Sequence, residues 1–348
     1  MGRATVLCAL VILVFTTASQ ARTWYIAPDG TGDAPTIPDA ADSAAYGDTI
    51  LVAPGTYICP DNTDYSFYWV VLTSGVSLLS SEGADATIIL DNTSYFYPHA
   101  VVDIAEASDC LVRGFTFRRE QRTAWYHGIV TWKTTGCAIE SCTFEGFHNA
   151  IEISGKTQPT VSPLVSRCYF TRCTVGVECA NIYPENTPVI QANDFHDCVW
   201  GVYCFSAAPV ITRNRFTECF WAGIYCADRS PAVITRNSIA DNVKYGLYVM
   251  TPAGYEPSLF DGSVPASGNS FFGNGECDLL FETPTGGGRL YALFTYWGSD
   301  CPDFSGVICG TGVDYIPWTN STHTEIFSQC PPQATEPTTW GAIKSIYK

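Results

Sequence analysis

Charge is scarce in this 348-residue chain: Asp, Glu, Lys and Arg make up 15% of it, against 46% hydrophobic and 14% aromatic residues. That balance argues against a disordered polymer, which lacks the apolar surface to offset its chain entropy. Basic residues are scarcer still, 18 Lys and Arg to 34 Asp and Glu, for a net charge of −16. This sign argues against nucleic acid and anionic membrane as partners. It admits a polyuronate only where calcium or a local basic patch intervenes. Beyond the N-terminus no segment approaches the roughly 18 apolar residues of a bilayer-spanning helix, so no membrane span is expected in the mature chain. None of the 16 cysteines falls in a C-x-x-C pair, which argues against a zinc site. There is no G-x-S-x-G nucleophile turn, and no sustained 3.6-residue apolar period that would indicate long amphipathic helices.

What is present is repetition. From 141 to 249 the chain says one thing five times: SCTFEGFHNAIEI, RCYFTRCTVGVEC, ANDFHDCVWGVYC, RNRFTECFWAGIYC and RNSIADNVKYGLYV. The anchors are Phe144, Phe170, Phe195, Phe216 and Ile239, spaced by 26, 25, 21 and 23 residues. Self-similarity at this period marks a solenoid. Each copy alternates apolar and polar residues over short runs, the signature of strand. A copy is too short for a strand and a long helix together.

The columns of the repeat sort into inward and outward positions. Two residues before the anchor stand Cys142, Cys168, Asn193, Asn214 and Asn237; three after it stand Phe147, Cys173, Cys198, Cys219 and Asn242. Asn recurring at one rung position can bond the amide or backbone of the next copy. Two further columns, Ile151-Val177-Val202-Ile224-Leu247 and Ile153-Cys179-Cys204-Cys226-Val249, should also face inward. The expected fold is all-β: a single-stranded right-handed parallel β-helix, with coils stacked about 4.8 Å apart so that like residues overlie like.

This grammar resembles the parallel β-helix repeat family, the pectin-lyase-like fold of pectate lyases and polygalacturonases. The run Ile211–Tyr225 is similar to that family's usual coil, with Cys219 in place of its second Asn. The stretch TIPDAADSAAYGDTILVAPGTY (36–57) resembles the N-terminal cap of secreted β-helix proteins. It implies a short capping helix over 38–45 and a strand over 49–53. Tyr296-Trp297-Gly298 resembles the turn that closes such solenoids, with a strand expected over 313–318. The implied organisation is a cap and first coil (22–58), the β-helix (59–318), a linker (319–339) and a short C-terminal tail (340–348). Less regular coils are expected over 69–117, with an insertion at 118–132 carrying Trp125, Tyr126 and His127, and a last coil anchored at Phe271.

The first 21 residues read as a cleaved signal peptide: Arg3, an apolar run Ala4–Phe15, and the small-x-small site Ser19-Gln20-Ala21. A secreted or cell-surface, monomeric protein is the expectation. Export permits disulfides, but the repeat cysteines fall on inward columns, where a free thiol behaves as a small hydrophobe. In the loop-rich tail Cys301 and Cys309 are the best disulfide candidates, with Cys330 competing.

Function must be sought on outward positions. Glu152, Glu178, Tyr203, Tyr225 and Tyr248 form one outward column, with Trp200, Trp221 and Tyr245 close by. Stacked rings stabilise a sheet by about 0.2–1 kcal/mol per pair, and an exposed aromatic patch also suits a polysaccharide. Trp200, Tyr203, Trp221, Tyr225, Tyr245 and Tyr248 are therefore the ligand-binding candidates. Two residues after the anchors stand Asp197, Glu218 and Asp241. Stacked carboxylates repel by roughly 0.8 kcal/mol in water and about 3 at an effective dielectric of 20. They are solvated turn residues, or candidates to hold Ca²⁺. With Asp194 and His196 they are also the catalytic candidates. Arg167, Arg213 and Arg236, with Arg215, could bind uronate carboxylates, but pairing with Asp194, Asp197 and Glu218 is the simpler expectation.

The resemblance implies motifs that can be checked. The polygalacturonase set N-x-D, D-D, G-H-G and R-x-K is absent as a set. The pectate-lyase R-x-P-x-x-R begins at Arg229-Ser230-Pro231, but the next arginine is Arg236, two places late. The expected function is a non-catalytic protein presenting an aromatic face to a glycan or cell-envelope polymer, with no required cofactor. The alternatives are a polysaccharide lyase or glycoside hydrolase of this fold, and a purely structural spacer.

Overall fold

The structure, a computed structural model, describes residues 20–60, 68–93, 99–120, 126–155, 162–181, 187–259, 268–284 and 286–330. Most of the expected signal-peptide segment, Trp125, the end of the expected linker and the expected C-terminal tail lie outside these residues.

The chain winds through three parallel sheets of nine, nine and ten strands. Each central coil contributes one strand to each sheet in turn. The coil from 189 to 205, for example, places Val189–Gln191 in the first, Asp194–His196 in the second and Trp200–Phe205 in the third. Strands only three residues long survive because neighbouring coils satisfy their backbone groups, and each coil buries its apolar side chains against those above and below.

Register bears out the expected columns. Phe144, Phe170, Phe195, Phe216 and Ile239 pair in sequence along the second sheet, and the column runs on to Phe117 on one side and Phe271 on the other. Rings from Phe117 to Phe216 stack at centroid separations of 5.0, 5.2, 4.6 and 4.7 Å. The third sheet leaves no room for a side chain opposite them. A Cβ on Gly201 would lie 2.6 Å from the Phe216 ring and 2.5 Å from the Gly223 carbonyl oxygen.

Asn193, Asn214, Asn237 and Asn269 form a buried ladder. Each Nδ2 donates to the next Oδ1, at 3.0, 3.1 and 3.0 Å. The same Oδ1 atoms accept the preceding rung's backbone N–H at 2.9, 2.9 and 3.0 Å. Arg167, just before Cys168 at the same position one coil earlier, and Ala192, Arg213 and Arg236, just before the first three asparagines, sit at φ of 54 to 57°. This left-handed turn costs about 1–2 kcal/mol for a residue with a Cβ. Bonds to the neighbouring coil offset it, such as Ala192 N–H to Thr212 O at 3.1 Å. The repeat cysteines are buried free thiols, as expected. They donate to nearby carbonyls, as Cys168 Sγ does to Ser166 O at 3.4 Å.

At the N-terminal end the capping helix runs Ile37–Ser43, starting one residue before its expected bounds and ending two sooner. Thr36 caps it by accepting the Asp39 N–H at 3.3 Å, and Ile37, Ala40 and Ala41 bury against the first coil. An open sheet end would otherwise expose unsatisfied strand edges.

Three expectations are corrected. Residues 118–132 are not one insertion, because Tyr126–Trp132 is a full rung of the third sheet, paired with His99–Asp103 and Asn149–Ser154. The expected 313–318 strand is two short ones, Val313–Asp314 and Trp318–Thr319. Cys301 and Cys309 do not bond each other. Among the described residues the disulfides are Cys301–Cys330 and Cys277–Cys309, because the tail folds back rather than leaving. Accordingly the start of the expected linker is anchored: Trp318–Thr319 pairs antiparallel with Ile326–Phe327. Trp297 closes the aromatic column, stacked on Phe271 at 5.4 Å.

Candidate functional site on the third sheet

The outer face of the third sheet carries chemistry in one continuous column. Pairing places Asp103, Val130, Glu152, Glu178, Tyr203, Tyr225, Tyr248 and Leu280 on successive coils. A second column beside it runs His127, Asn149, Val175, Trp200, Ala222 and Tyr245. The face is thus acidic toward the N-terminal end and aromatic toward the C-terminal end.

The acidic half is built by diagonal contacts between these columns. His127, on the coil before Glu152, places Nδ1 3.1 Å from its Oε2. Asn149 repeats the step and donates from Nδ2 to Glu178. Asn149 is 3% exposed, and its Oδ1 has no hydrogen-bond partner among the described residues. Asp103, 5% exposed, accepts the Ala105 N–H at 3.0 Å.

Burial raises the carboxyls of Asp103 and Glu152 above the ordinary carboxylate range. Burial and then the Glu152 charge push Glu178 up to about 7. Tyr68 is raised by burial, then by Asp103 and Glu152, which brings it into the same group. Burial lowers His148, next to Asn149, disfavouring its charged imidazolium. At neutral pH this surface therefore holds a half-protonated carboxyl beside an ionisable one, an arrangement suited to moving a proton at a bound ligand.

The aromatic half brings together all six predicted ligand residues. Tyr203, Tyr225 and Tyr248 stack at 5.3 and 4.7 Å. Trp200 leans on Tyr203 at 6.1 Å, and Trp221 meets Tyr245 edge-on at 6.4 Å. The expected regularity breaks at Trp221. The turn after Phe216 is one residue longer than that after Phe195, so buried Ala222 takes the rung between Trp200 and Tyr245. Trp221 sits in the turn instead, capped by Lys244 Nζ at 4.1 Å. Tyr245 and Tyr248 donate to Glu276 at 2.6 Å and Glu282 at 2.7 Å. Burial, and then the Tyr225 hydroxyl, raise Tyr203 to about 12; the Glu276 hydrogen bond raises Tyr245 to about 12. Both phenols remain protonated donors across the physiological range.

The residues expected to catalyse lie elsewhere. Asp194 and His196 face outward on the second sheet, and Asp197, Glu218 and Asp241 line the turn from the second sheet to the third. Asp194 pairs with Arg215 at 3.4 Å, and His196 lies 3.8 Å from Glu218 and 3.3 Å from Thr217. Asp197, Glu218 and Asp241 are exposed, as solvated turn residues would be. Among the described residues no three His, Cys, Asp or Glu side chains cluster closely enough to hold a metal ion. Sequence reasoning placed Glu152 and Glu178 on the outer face but gave them no chemistry. It missed His127, Asn149, Asp103 and Tyr68. The one available signal was the outward Glu-Glu-Tyr-Tyr-Tyr column itself.

Comparison with known proteins agrees with the fold. The model of the right-handed beta helix region matches residues 100–271. The structure is similar to that of a pectate lyase, Pel9A, at 15% identity and TM-score 0.56, covering 85% of this chain and 79% of that one. An alginate lyase from Paenibacillus sp. str. FPU-7 superposes with TM-score 0.52 at 10% identity, over 84% of this chain and 99% of that one. The enzymatically active domain of bacteriophage CBA120 tailspike protein 2 gives TM-score 0.52 at 11% identity, over 81% of this chain and 44% of that one. A search of curated protein sequences finds no match. At these identities the shared property is the fold. No helix among the described residues is long and apolar enough to cross a membrane.

Proposed function

We propose that this chain, a right-handed β-helix protein of the pectin-lyase-like family, is carbohydrate-active and binds a polysaccharide lengthwise along the outer face of its third sheet. The observation that carries the reading is the stacked column Tyr203, Tyr225 and Tyr248, flanked by Trp200, Trp221 and Tyr245, on a flat face. Aromatic rings offer an apolar plane to the C–H face of a sugar, and phenol hydroxyls offer donors at its edge. A parallel sheet extends that plane along the solenoid axis, matching a linear polymer rather than a small molecule. The fold shared with lyases of pectate and alginate supports the class of ligand. The disulfides Cys277–Cys309 and Cys301–Cys330 support an oxidising, extracytoplasmic setting.

A second reading, cleavage of the bound polymer, is favoured by Glu152 and Glu178. They occupy adjacent strands, about 4.8 Å apart, and each is held from the neighbouring column by a polar partner. Two carboxyls about 5–5.5 Å apart serve glycosidases that retain anomeric configuration. Glu178 would be the acid and Glu152, beside His127, its ionised partner.

One experiment separates the readings. A polysaccharide panel is assayed for binding, for new reducing ends and for the ultraviolet absorbance of unsaturated lyase products. Binding lost in Tyr225→Ala supports the platform, and product abolished by Glu178→Gln with binding retained supports cleavage. A panel in which no glycan binds and none is cut removes both.

A further inference from the structure

Where the C-terminal chain folds back on the solenoid, it lines up a hydroxyl, an imidazole and a second hydroxyl. Ser270 stands half-buried on the outer face of the second sheet, in the strand Ser270–Phe272, paired with Ser238 on the coil before. His323 lies in the loop of the antiparallel hairpin whose strands are Trp318–Thr319 and Ile326–Phe327. Its Nε2 is 3.1 Å from Ser270 Oγ, and its Nδ1 is 2.8 Å from Thr319 Oγ1. The Thr319 hydroxyl donates its one proton to the Phe294 carbonyl oxygen at 3.3 Å. It therefore accepts from Nδ1–H, which leaves the Nε2 lone pair for the Ser270 hydroxyl. In this tautomer a histidine can take a serine proton, with a third group holding the ring.

Packing fixes the imidazole in that place. Thr319 is fully buried, and its N–H donates to Thr295 O at 3.1 Å. Gly268 lies against the ring, where a Cβ would stand 2.7 Å from Nδ1 and 2.9 Å from Cε1. Burial lowers the His323 imidazole from its ordinary range, opposed by a hydrogen bond with the Phe294 backbone, so the neutral base is favoured. The hairpin has other anchors, Trp318 packed edge-on against Phe304 at 5.5 Å and the Cys301–Cys330 disulfide, so the serine–histidine bond is not what holds it. A ligand has a way in. Ser270 and His323 are each partly exposed, and an open cleft of about 640 Å³ extends to Ser238, one coil away. Exposed Phe272 meets Tyr296 edge-on at 6.4 Å beside Ser270, an apolar edge for an acyl or aryl group.

We propose that Ser270 and His323 are a nucleophile and base that hydrolyse carboxylic esters, with Thr319 as the positioning residue. Ser270 Oγ attacks the ester carbonyl carbon as its proton passes to His323 Nε2. The bond from that carbon to the alcohol oxygen breaks, the alcohol leaves with the proton, and the acyl group stays on Ser270 as an ester. Water then attacks the acyl carbon and gives a proton to Nε2. The carboxylic acid leaves, and the proton returns to Ser270 Oγ. This chemistry lies on a different sheet from the tyrosine column and does not depend on it.

The test treats the full chain with p-nitrophenyl acetate, an activated ester whose leaving group needs little assistance, and separately with a fluorophosphonate, which bonds stably to an activated serine. Hydrolysis above buffer, blocked by the fluorophosphonate, is the expected result, with the adduct found by mass spectrometry on the peptide holding Ser270. Ser270→Ala should abolish adduct and catalysed hydrolysis alike. It removes one hydroxyl and keeps the His323–Thr319 bond, so circular dichroism and melting should not change. His323→Gln should slow both reactions by about 10²–10⁴-fold, the range of general-base catalysis. Thr319→Val should slow them and Thr319→Ser should restore them, a rescue that loss of packing alone would not give. Tyr225→Ala should leave the hydrolysis as it is, which keeps this site separate from the glycan platform. No hydrolysis above buffer, no adduct at Ser270, an adduct formed as fast in His323→Gln, or hydrolysis undiminished in Ser270→Ala would overturn the assignment.

Discussion

Replacing Glu178 with Gln tests the electrostatics of the third sheet most directly. Glu178 holds its proton to about 7 in the folded chain, against an ordinary 4.5, first because it is buried and second because Glu152 is charged. Below 4.5 the carboxyl is neutral in both folded and unfolded states and carries no penalty. As pH rises from 4.5 through about 7, the unfolded chain releases this proton first, so the native state binds more protons and stability falls. At about 1.4 kcal/mol per pH unit of separation the full penalty would be about 3.5 kcal/mol. Partial solvent contact screens it to about 1–2 kcal/mol. Glu178→Gln keeps the amide-sized side chain beside Asn149 but cannot ionise. The wild type should therefore lose about 1–2 kcal/mol relative to the variant across this window, read from urea midpoints at each pH. Asp103 and Glu152 are also raised by burial, so a residual slope should remain in the variant. Parallel stability curves for the two proteins would refute a buried, Glu152-coupled carboxyl at this position, and with it the case for Glu178 as an acid.

Two other perturbations probe the frame that holds the site. Phe195→Ala, fully buried between rings at 4.6 and 4.7 Å, should cost about 3–5 kcal/mol by urea denaturation; a loss below about 1 kcal/mol would mean that the column does not pack as described. Asn214→Ala leaves the Asn193 N–H and the Ile190 carbonyl without their bonds of 2.9 and 2.8 Å. At about 1–3 kcal/mol per buried unsatisfied group it should cost more than Asn214→Cys, which restores a thiol donor of the kind Cys168 uses toward Ile139 O. Equal melting of the two variants would count against the ladder.

The amino-acid sequence alone determined the solenoid, the inward columns and the aromatic face. In a stacked coil each residue's neighbours are its own counterparts one period away, so three-dimensional contact is written as local repetition. Phe144 predicts its contact with Phe170 because both obey one alternation. The acid half of the face was decided only in three dimensions. Glu152 meets His127, and Glu178 meets Asn149, across columns and coils, and the segment leading into Tyr126–Trp132 breaks the period that would have placed His127 on a rung. The same holds for Trp221, displaced by a turn one residue longer, and for Cys301, whose partner depends on how the tail docks. A periodic pattern specifies what lies above and below. It does not specify diagonal contacts, turn lengths or chain ends, where side-chain reach and backbone path set the geometry.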